Sequence, residues 1–362
     1  MSSMNNAVNL DWQDPSKATL YGCSSCQSSG RLDRLPADLL TSIGQSNPAL
    51  PGLGRMTAGM MLAFTTDSQI LDLEASLFEP PLLNHMAATG QSGFDLYRFS
   101  EGLWRFIDVS RPSLTSADHG YRFNLPFSAD RMGRYLLYFP LYNAVKGLRL
   151  KVESGAVCHA WQPYQDPPVL IYGTSLTQGA CASRPGLAYP AMLGRKWGVA
   201  ITNFGFSGNA LLEPVMAQAI TRQVVSAIII DCEANAGAAD VLESRLPAFI
   251  ETIRTVHRQT PLILVSRMPW LGEWHDQAFH ERRRRYHRFQ QAMAETRQDI
   301  EPLLYLSGEA LLSEDASACT VDGIHLNDHG FAMLADQFDR LAGPWLVRQG
   351  ILKQKGVTSC EN

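Results

Sequence analysis

Two short segments carry the residue types of nucleophilic catalysis. Ser175 follows the apolar run Val169–Tyr172 and Gly173, so it would sit at the carboxyl end of a buried strand. A serine there becomes a nucleophile when a nearby base takes its proton. His325 is a candidate base, and Asp322, three residues before it, can fix the tautomer of the imidazole. Taken alone, each segment also fits a purely structural role: a helix N-cap at the serine and an Asp-Gly turn before the histidine.

Two further segments could stabilise negative charge that develops during a reaction. Gly208 lies in a glycine-containing stretch, 203–209, after the next apolar run, and its backbone N–H could point at an oxyanion. Asn235 follows the apolar run 227–232 and could donate its side-chain amide to the same oxyanion. The alternatives are a strand-to-helix turn that needs a positive φ at the glycine and a loop asparagine.

Candidate substrate contacts flank these segments. Thr174 directly precedes the candidate nucleophile, and Trp270 and Trp274 lie in the stretch 268–274 after the fourth apolar run. That loop should overhang the carboxyl edge of a sheet, so the two indoles could line an acyl or alcohol pocket. Covering of the hydrophobic core is an equally good interpretation of both tryptophans.

The run Arg282–Arg285 opens two interpretations of its own. It lies on a predicted helix over 276–297, where it could receive an anionic substrate or a phosphopantetheine-type donor. A solvated helix face with glutamates nearby is the alternative, and charge runs favour it.

No metal and no organic cofactor are expected. Cys23 and Cys26 have the spacing of a redox or zinc pair, but no second pair follows them. His325 and His329 are four residues apart without the glutamate of a His-Glu-x-x-His site. The seven cysteines are therefore expected to be reduced thiols.

The predicted secondary structure that would position these residues differs between the first and the second half of the chain. From about residue 60 to 153, apolar and polar residues alternate, and short aromatic-rich pieces are separated by Pro, Gly, Ser and Asp. This pattern is typical of a β-sandwich or jelly roll whose outer faces meet water. Residues 20–60, rich in Gly, Pro and Ser, are expected to be ordered only by packing on this layer.

After Pro163, Pro167 and Pro168 the pattern becomes that of an α/β protein. Apolar runs alternate with amphipathic segments, which are centred on residues 189–197, 213–222, 240–258, 276–297 and 328–347. Such alternation indicates a parallel sheet covered on both faces, with its chemistry at the carboxyl ends of the strands. We predict two domains: a β-sandwich with an irregular extension over 1–163 and a doubly wound α/β domain over 164–362.

Composition excludes several classes of protein. The 362 residues contain 31 Lys+Arg and 35 Asp+Glu, a formal net charge of −4, with 45% hydrophobic and 18% charged residues. This balance excludes a disordered chain, and it lacks the basic excess of a nucleic-acid binder. No apolar run approaches the ~18 residues of a membrane span. The N-terminus has neither the basic nor the apolar region of a signal peptide, which predicts a cytoplasmic protein.

In chain order, the four segments resemble the sequence blocks of the SGNH (GDSL-type) hydrolases and acyltransferases. The resemblance implies a flavodoxin-like three-layer α/β/α domain with a parallel sheet. It also implies that Ser175 is the nucleophile and that Asp322 and His325 are the Asp-x-x-His pair. The oxyanion would be held by the backbone N–H groups of Ser175 and Gly208 and by the side chain of Asn235.

This sequence departs from the family pattern at two positions. Thr174 stands where the first block has Asp, and Glu233-Ala234-Asn235-Ala236 stands where the third block usually reads Gly-x-Asn-Asp. Neither change removes a group that carries the chemistry, so they indicate a divergent branch.

A second resemblance covers the first half. Gly93-Phe94-Asp95-Leu96-Tyr97 resembles the Gly-x-Asp-Leu-Tyr signature of a jelly-roll-like β-sandwich that precedes some SGNH domains. That branch contains esterases and an acyltransferase of aromatic polyketide biosynthesis, and its sandwich can wall the active-site cleft. As strand residues, Asp95 and Tyr97 are more often structural than in contact with substrate.

The residues and the resemblance together predict serine-dependent acyl transfer on a small-molecule ester through an acyl-enzyme. Water would resolve the intermediate in an esterase, and a hydroxyl acceptor would do so in an O-acyltransferase, in natural-product or carbohydrate-ester metabolism. The alternative is a carbohydrate-binding or scaffold protein with an inert SGNH domain.

Overall fold

The computed structural model describes residues 7–11, 13–14, 16–26, 32–126, 132–312 and 316–353. The first six residues, on which the prediction about targeting partly rests, lie outside this set. Among the described residues, no helix combines the length and the apolar character that a membrane crossing requires.

The first half of the chain is built mainly from antiparallel strands. The strands are β1 (Ala7–Leu10), β2 (Thr19–Tyr21), β3 (Ser25–Cys26), β4 (Leu32–Asp33), β5 (Met61–Thr66), β6 (Ile70–Leu77), β7 (Asp95–Ser100), β8 (Leu103–Val109), β9 (Asp118–Asn124), β10 (Gly133–Tyr138), β11 (Val145–Glu153) and β12 (Cys158–Ala160). The helices are α1 (Leu40–Ser46), α2 (Leu50–Arg55) and α3 (Ala88–Ser92). One sheet has the order β1-β11-β6-β9, and the other has the order β12-β5-β10-β7-β8 with β2 also paired to β5.

Strict alternation explains why these sheets form a sandwich. In β6, Leu71, Leu73, Ala75 and Leu77 are buried, and the residues between them are more exposed. The buried set packs in one cluster with residues of the opposite sheet such as Phe64. Because side chains alternate between faces, one apolar face of each sheet is removed from water. The prediction of an N-terminal β-sandwich is confirmed.

The second half is a three-layer α/β unit. Its strands are β13 (Gln165–Gly173), β14 (Val199–Gly205), β15 (Ala227–Asp231), β16 (Leu262–Val265) and β17 (Leu303–Leu306). Its helices are α4 (Ser175–Gln178), α5 (Tyr189–Trp197), α6 (Pro214–Thr221), α7 (Glu233–Ala236), α8 (Leu242–Arg254), α9 (Gln277–Thr296), α10 (Gly308–Leu311) and α11 (Asp328–Arg348). The sheet is parallel, with the order β14-β13-β15-β16-β17, which is the flavodoxin-like order.

Two hydrophobic clusters cover the two faces of this sheet. Ile171 and Ile229 pack on one face with residues of α5 and α11. Their neighbours Leu170 and Ile228 pack on the other face with residues of α6, α8 and α9. Every strand in the middle of the sheet is therefore apolar on both sides, which explains the continuous apolar runs. The predicted fold class is confirmed.

The N-terminal extension is a correction to the sequence analysis. Residues 20–60 were expected to be ordered only by packing on the β-sandwich. Leu32 and Met60 do lie in the core of the sandwich, but Leu35, Ile43 and Leu50 belong to the same core cluster as Phe204 of β14. The fully buried Arg34 donates hydrogen bonds to main-chain oxygens of β14 and of the α2 region. These contacts join residues some 170 positions apart, so no local pattern could indicate them. The predicted domain boundary after residue 163 stays a prediction.

The cysteines also depart from expectation at one position. Cys23 is disulfide-bonded, so the prediction of reduced thiols throughout is wrong there. Pairing depends on the distance between two Cβ atoms, which composition does not give. Buried free thiols are found at Cys158, Cys181, Cys232 and Cys319. The Cys26 side chain and Cys360 lie outside the described residues.

Candidate active site

The ends of three neighbouring strands bring the sequence segments to one edge of the parallel sheet. Gly173 of β13 lies opposite Gly205 of β14 on one side and Asp231 of β15 on the other. The chain leaves each strand at this level, so the residues that follow face the same space. Ser175, Gly208 and Asn235 are two to four residues beyond these three strand ends.

Ser175 and His325 are within hydrogen-bonding distance. The serine Oγ lies 3.0 Å from Nε2 of the imidazole. Nδ1 of the same ring lies 2.7 Å from Oδ2 of Asp322. A carboxylate on Nδ1 selects the tautomer that carries its proton there, which leaves Nε2 free to accept the serine proton. The serine is 8% exposed, so the hydroxyl is shielded yet reachable.

Asp322 also holds the loop that carries the histidine. Its Oδ1 accepts hydrogen bonds from the backbone N–H groups of Ile324 (3.0 Å) and His325 (2.7 Å). Partial burial opposes ionisation, but the hydrogen bonds from the His325 ring and these two N–H groups lower the pKa of Asp322 to about 2. The carboxylate therefore stays charged throughout the pH range in which an esterase is assayed.

Gly173 permits the tight turn that presents the serine. A Cβ at this position would overlap the hydroxyl of Thr177 and press against the backbone oxygen of Asp231. The helix that follows is the single turn α4, so any electrostatic support for the serine comes from local N–H groups and not from a long helix dipole.

The two other oxyanion candidates are each held by a specific contact. Gly208 has φ +71°, a conformation that favours glycine, and the preceding Ser207 N–H donates to Oε1 of Gln178 (2.9 Å). Oδ1 of Asn235 accepts from the Ala210 N–H (3.2 Å), so its Nδ2 is the part left to donate. The alternatives drawn from the sequence, a positive-φ turn at Gly208 and a loop position for Asn235, describe the backbone at these residues. They are compatible with a role of either residue as an oxyanion donor.

A cavity of about 600 Å³ unites these residues. It is lined by side chains or backbone of Thr174, Ser175, Leu176, Ser207, Gly208, Leu211, Ala234, Asn235, Ala238, Ala239, Trp270, Ile324 and His325. No Asp, Glu, Lys or Arg is among these lining residues, and Leu176, Leu211, Trp270 and Ile324 contribute apolar surface. The hydroxyl of Thr174 is buried here and has no hydrogen-bond partner among the described residues.

The two candidate tryptophans have different positions. Trp270 lines the cavity, whereas Trp274 does not. The Trp274 side chain is 85% exposed and lies edge-on to the ring of His275, so it neither lines this cavity nor covers the core. The residues between them form a single 3-10 turn, Leu271–Trp274, which separates the two indoles.

Buried ion pairs support the wall formed by Trp270. The guanidinium of Arg267 lies 4.1 Å from the centroid of the indole and 2.6 Å from Oε1 of Glu273. The carboxylate of Glu233, in the turn that carries Asn235, accepts a hydrogen bond from the backbone N–H of Arg267 (2.9 Å). Burial raises the pKa of Glu233 to about 7, against the lowering effect of Arg267 and of Gln290. No local sequence pattern indicates this network, because its members come from separate loops and helices.

The arginine run does not form an open binding site for an anion. Arg283 is fully buried and pairs with Glu273 (2.6 Å) and Glu309 (2.5 Å). Arg285 pairs with Asp240 at 2.8 Å. The functional interpretation of the run is therefore not supported at these positions, and the solvated-face interpretation is wrong for Arg283.

The β-sandwich half reaches the site through hydrogen bonds. The buried Asp95 accepts from Arg184 and from the Gly186 N–H, both at 2.8 Å. In the same segment, Ser183 donates its N–H (2.8 Å) and hydroxyl (2.6 Å) to the carboxylate of Asp328. That carboxylate lies at the start of α11, three residues after the histidine. The motif residue Asp95 thus supports a segment near the site and does not line the cavity.

Two residues near the site were missed by the sequence analysis. His85 lies in the loop before α3, and its ring centroid is 5.9 Å from that of His325. Cys181 has φ +69°, unusual for a residue other than glycine. Burial, with a further contribution from Asp322, raises the pKa of this thiol to about 11. It is therefore neutral at physiological pH and unsuited to act as the nucleophile.

Comparisons with known proteins agree with this geometry. The GDSL-like lipase/acylhydrolase family matches residues 166–342, and the GxDLY domain, the N-terminus of SGNH-hydrolase-type esterases, matches residues 10–158. The chain belongs to the SGNH (GDSL-like) hydrolase family. It is an enzyme of the esterase or acyltransferase type, and both resemblances stated from the sequence are confirmed. Among curated proteins, none matches the sequence.

Solved structures extend the likeness over nearly the whole SGNH chain. A protein of Bacteroides ovatus assigned as a GDSL-like lipase has 26% identity and a TM-score of 0.85, with 97% of this chain and 100% of that chain covered. A salicylyl-acyltransferase from a tetracycline biosynthetic pathway has 18% identity and a TM-score of 0.77, with 94% and 97% covered. A family two carbohydrate esterase from Cellvibrio japonicus has 13% identity and a TM-score of 0.59, with 95% and 98% covered. The last two share the fold.

Proposed function

We propose that this SGNH-family enzyme cleaves carboxylic esters through an acyl-enzyme on Ser175. The observation that carries the proposal is the line of contacts from the Ser175 hydroxyl to Nε2 of His325 (3.0 Å) and from Nδ1 to Asp322 (2.7 Å). This line opens into the 600 Å³ cavity, so an ester carbonyl could reach the hydroxyl.

The first half-reaction forms the acyl-enzyme. His325 removes the proton of Ser175 as the serine oxygen attacks the carbonyl carbon, and Asp322 stabilises the imidazolium that results. The tetrahedral intermediate then collapses, the bond to the leaving alkoxide breaks, and the imidazolium gives its proton to that oxygen. In the second half-reaction, His325 deprotonates a water or an alcohol, which attacks the acyl carbon. The bond from that carbon to the Ser175 oxygen then breaks, and the imidazolium returns its proton to the serine oxygen.

Three donors would hold the oxyanion during both half-reactions. They are the backbone N–H groups of Ser175 and Gly208 and the Nδ2 group of Asn235. Neither N–H donates a hydrogen bond to another group within the described part of the chain, which leaves both available. Each donor of this kind is typically worth about 3 kcal/mol of barrier.

The cavity walls favour an uncharged ester with a small acyl group. Charged side chains are absent from the lining residues described above, while Leu176, Leu211, Trp270 and several alanines supply apolar surface. The buried, unpartnered hydroxyl of Thr174 is available to a polar substrate atom. Natural-product esters and acetylated carbohydrates both meet these requirements.

Hydrolysis of 4-nitrophenyl acetate tests the proposal. We expect measurable turnover in the wild type and a loss of at least about 1,000-fold in kcat in Ser175→Ala, because the nucleophile is removed. Ser244→Ala, an exposed serine of α8 outside the cavity, is the matched control and should retain full activity. No turnover by the folded wild type would contradict the proposal and favour an inert domain. Equal turnover by Ser175→Ala would contradict the role of Ser175.

The acceptor is decided by a second measurement. Turnover is repeated with a panel of alcohols and sugars, and the free acid and the new ester are quantified. We expect free acid as the main product, because the cavity is open enough to admit water. A new ester that outcompetes the acid at modest alcohol concentration would identify an O-acyltransferase that uses the same residues.

A further inference from the structure

Three side chains near the candidate nucleophile lie close together, and the proposed reaction uses only one of them. His85, Cys181 and His325 each offer a nitrogen or sulfur atom, and these atoms lie within 4.8 Å of one another. They come from three distant segments: a loop of the β-sandwich half, the chain after α4, and the loop before α11. The thiol of Cys181 also donates to the main-chain oxygen of His85 (Sγ···O 3.6 Å), so the first two segments touch directly.

The ligand set matches the preferences of one class of metal ion. Two imidazoles and one thiolate suit a borderline-soft divalent cation such as Zn²⁺, whereas Mg²⁺ and Ca²⁺ prefer oxygen ligands. In a tetrahedral zinc site the ligand atoms are roughly 3.3–3.8 Å apart. The exposed His85 can close the remaining distance by a change of rotamer, and water can fill the fourth position.

The partner of His325 strengthens this assignment. Zinc-bound histidines usually donate their other ring N–H to a carboxylate, which orients the ring and raises its basicity. Asp322 holds Nδ1 of His325 in this way at 2.7 Å. The same arrangement that makes Nε2 a base for a serine proton therefore makes it a good zinc ligand. One thiolate and one nearby carboxylate also balance the two positive charges of the ion.

We propose that His85, Cys181 and His325 form a Zn²⁺ site and that the bound ion inhibits the enzyme. Binding forms coordinate bonds from the two imidazoles and from sulfur, and the thiol proton is released to solvent. Both nitrogens of His325 are engaged in the active arrangement, one with Ser175 and one with Asp322. Coordination through either nitrogen removes a hydrogen bond that the reaction needs. The inhibition rests on the proposed function, whereas the binding does not.

Direct binding is the first arm of the test. Metal-free protein competes with a chromophoric chelator for Zn²⁺, which gives stoichiometry and affinity without any assay of activity. We expect one tight equivalent in the wild type and in Ser175→Ala, and an affinity at least about tenfold weaker in His85→Ala and in Cys181→Ser. His275→Ala, which removes an exposed histidine outside the cluster, is the control and should bind as the wild type does.

Inhibition is the second arm. Ester hydrolysis is measured with increasing Zn²⁺, and each variant is compared with its own metal-free rate. We expect Zn²⁺ but not Mg²⁺ to inhibit the wild type, chelation to reverse the effect, and His85→Ala to need at least about tenfold more Zn²⁺. His85 is exposed, so this variant keeps the test decisive even if Cys181→Ser fails to fold.

The outcomes separate this proposal from the proposed function. If His85→Ala and Cys181→Ser bind Zn²⁺ as tightly as the wild type, the site is overturned, whatever the activity shows. If binding needs both residues but Zn²⁺ leaves hydrolysis unchanged, the inhibitory role is overturned. Retained hydrolysis in Ser175→Ala would instead contradict the proposed mechanism, and the binding arm would still decide the metal site.

Discussion

The two halves of the chain contribute to the candidate site in different ways. Every residue that lines the cavity lies between Thr174 and His325, in the α/β half. No described residue of the β-sandwich half lines it, yet Asp95 and Thr89 of that half hydrogen-bond the segment at 183–186, which in turn holds the start of α11. The reacting groups and the supports for their loops are thus supplied by separate parts of the chain.

Two carboxylates, one in each half, have different partners. Asp95 of the sandwich is paired with the guanidinium of Arg184. Within the described part of the chain, Asp231 at the end of β15 accepts hydrogen bonds from just two groups, the hydroxyls of Tyr189 and Thr177. Burial raises the pKa of Asp95 despite Arg184, as it raises that of Asp231. Neutralisation of Asp95 nevertheless leaves a largely buried guanidinium without its carboxylate, whereas neutralisation of Asp231 leaves no unpaired charge, which makes the comparison testable.

The largest effect is expected within the α/β half. We expect His325→Ala to lower kcat/KM by about 10³- to 10⁴-fold, because both the base for Ser175 and the acid for the leaving group are lost. The unfolding free energy should change by no more than about 1 kcal/mol. His329→Ala, which replaces an exposed histidine at the second position of α11, is the matched control and should retain activity. Steady-state kinetics decide, and a variant at residue 325 with more than a tenth of wild-type activity would break the assignment.

A substitution at Asp95, in the β-sandwich half, should affect stability more than activity. We expect Asp95→Asn to lower the unfolding free energy by about 3 kcal/mol, because Arg184 is left in a largely buried position without its carboxylate. A smaller fall in kcat, up to about tenfold, should follow from the loosened segment at 183–186. Asp72→Asn, which breaks the Asp72–Arg122 pair on the outer face, should cost no more than about 1 kcal/mol. Urea denaturation and kcat for both variants check this, and equal losses of stability would contradict the supporting role.

Asp231 should behave in the opposite direction to Asp95. Burial, opposed by the two hydroxyls, raises its pKa from 3.8 to about 6. Between about pH 4 and pH 6 the folded protein therefore holds a proton that the unfolded chain has lost, so this carboxyl makes the protein less stable as pH rises. We expect Asp231→Asn to remove this loss and to be more stable than the wild type by about 2–3 kcal/mol above pH 6.

The measurement for Asp231 is the difference between wild type and variant at two pH values, because Glu233 titrates in an overlapping range. The stability advantage of Asp231→Asn should be present at about pH 7.5 and should largely vanish at about pH 4. A constant difference at both values would mean that the carboxyl does not titrate as its environment indicates.

The smallest effect concerns the cavity wall. We expect Trp270→Ala to raise KM about tenfold, since apolar contact with the substrate is lost. Trp274→Ala should leave both kcat and KM unchanged, because that indole is exposed and outside the cavity. Equal effects from the two variants would show that the loop closes over the substrate in a way that the cavity does not reveal.

Sequence reasoning succeeded where local pattern determines structure. The positions of Ser175, Gly208 and Asn235 follow from apolar runs that end in turns, because the carboxyl ends of parallel strands meet at one edge. The sandwich followed from strict alternation, which a one-residue shift would reverse. These features need only neighbours in sequence.

It failed where the deciding partner is distant in sequence. Arg283 belongs to a charged run that predicts an exposed side chain, but it is buried and paired with Glu273 and Glu309. Trp270 and Trp274 are equivalent as sequence signals, but Trp270 lines the cavity and contacts Arg267, whereas Trp274 is exposed. The cluster of His85, Cys181 and His325 joins segments about 100 and 140 residues apart, so no spacing rule could have found it.

The central claim, that Ser175 is the nucleophile, is tested most directly by covalent labelling. The protein is treated with a fluorophosphonate, which reacts irreversibly with activated serines, and the modified peptide is mapped by mass spectrometry alongside residual esterase activity. We predict one adduct per chain at Ser175, formed in parallel with the loss of activity, and none in Ser175→Ala or His325→Ala. Loss of activity with the adduct on another residue would contradict the account.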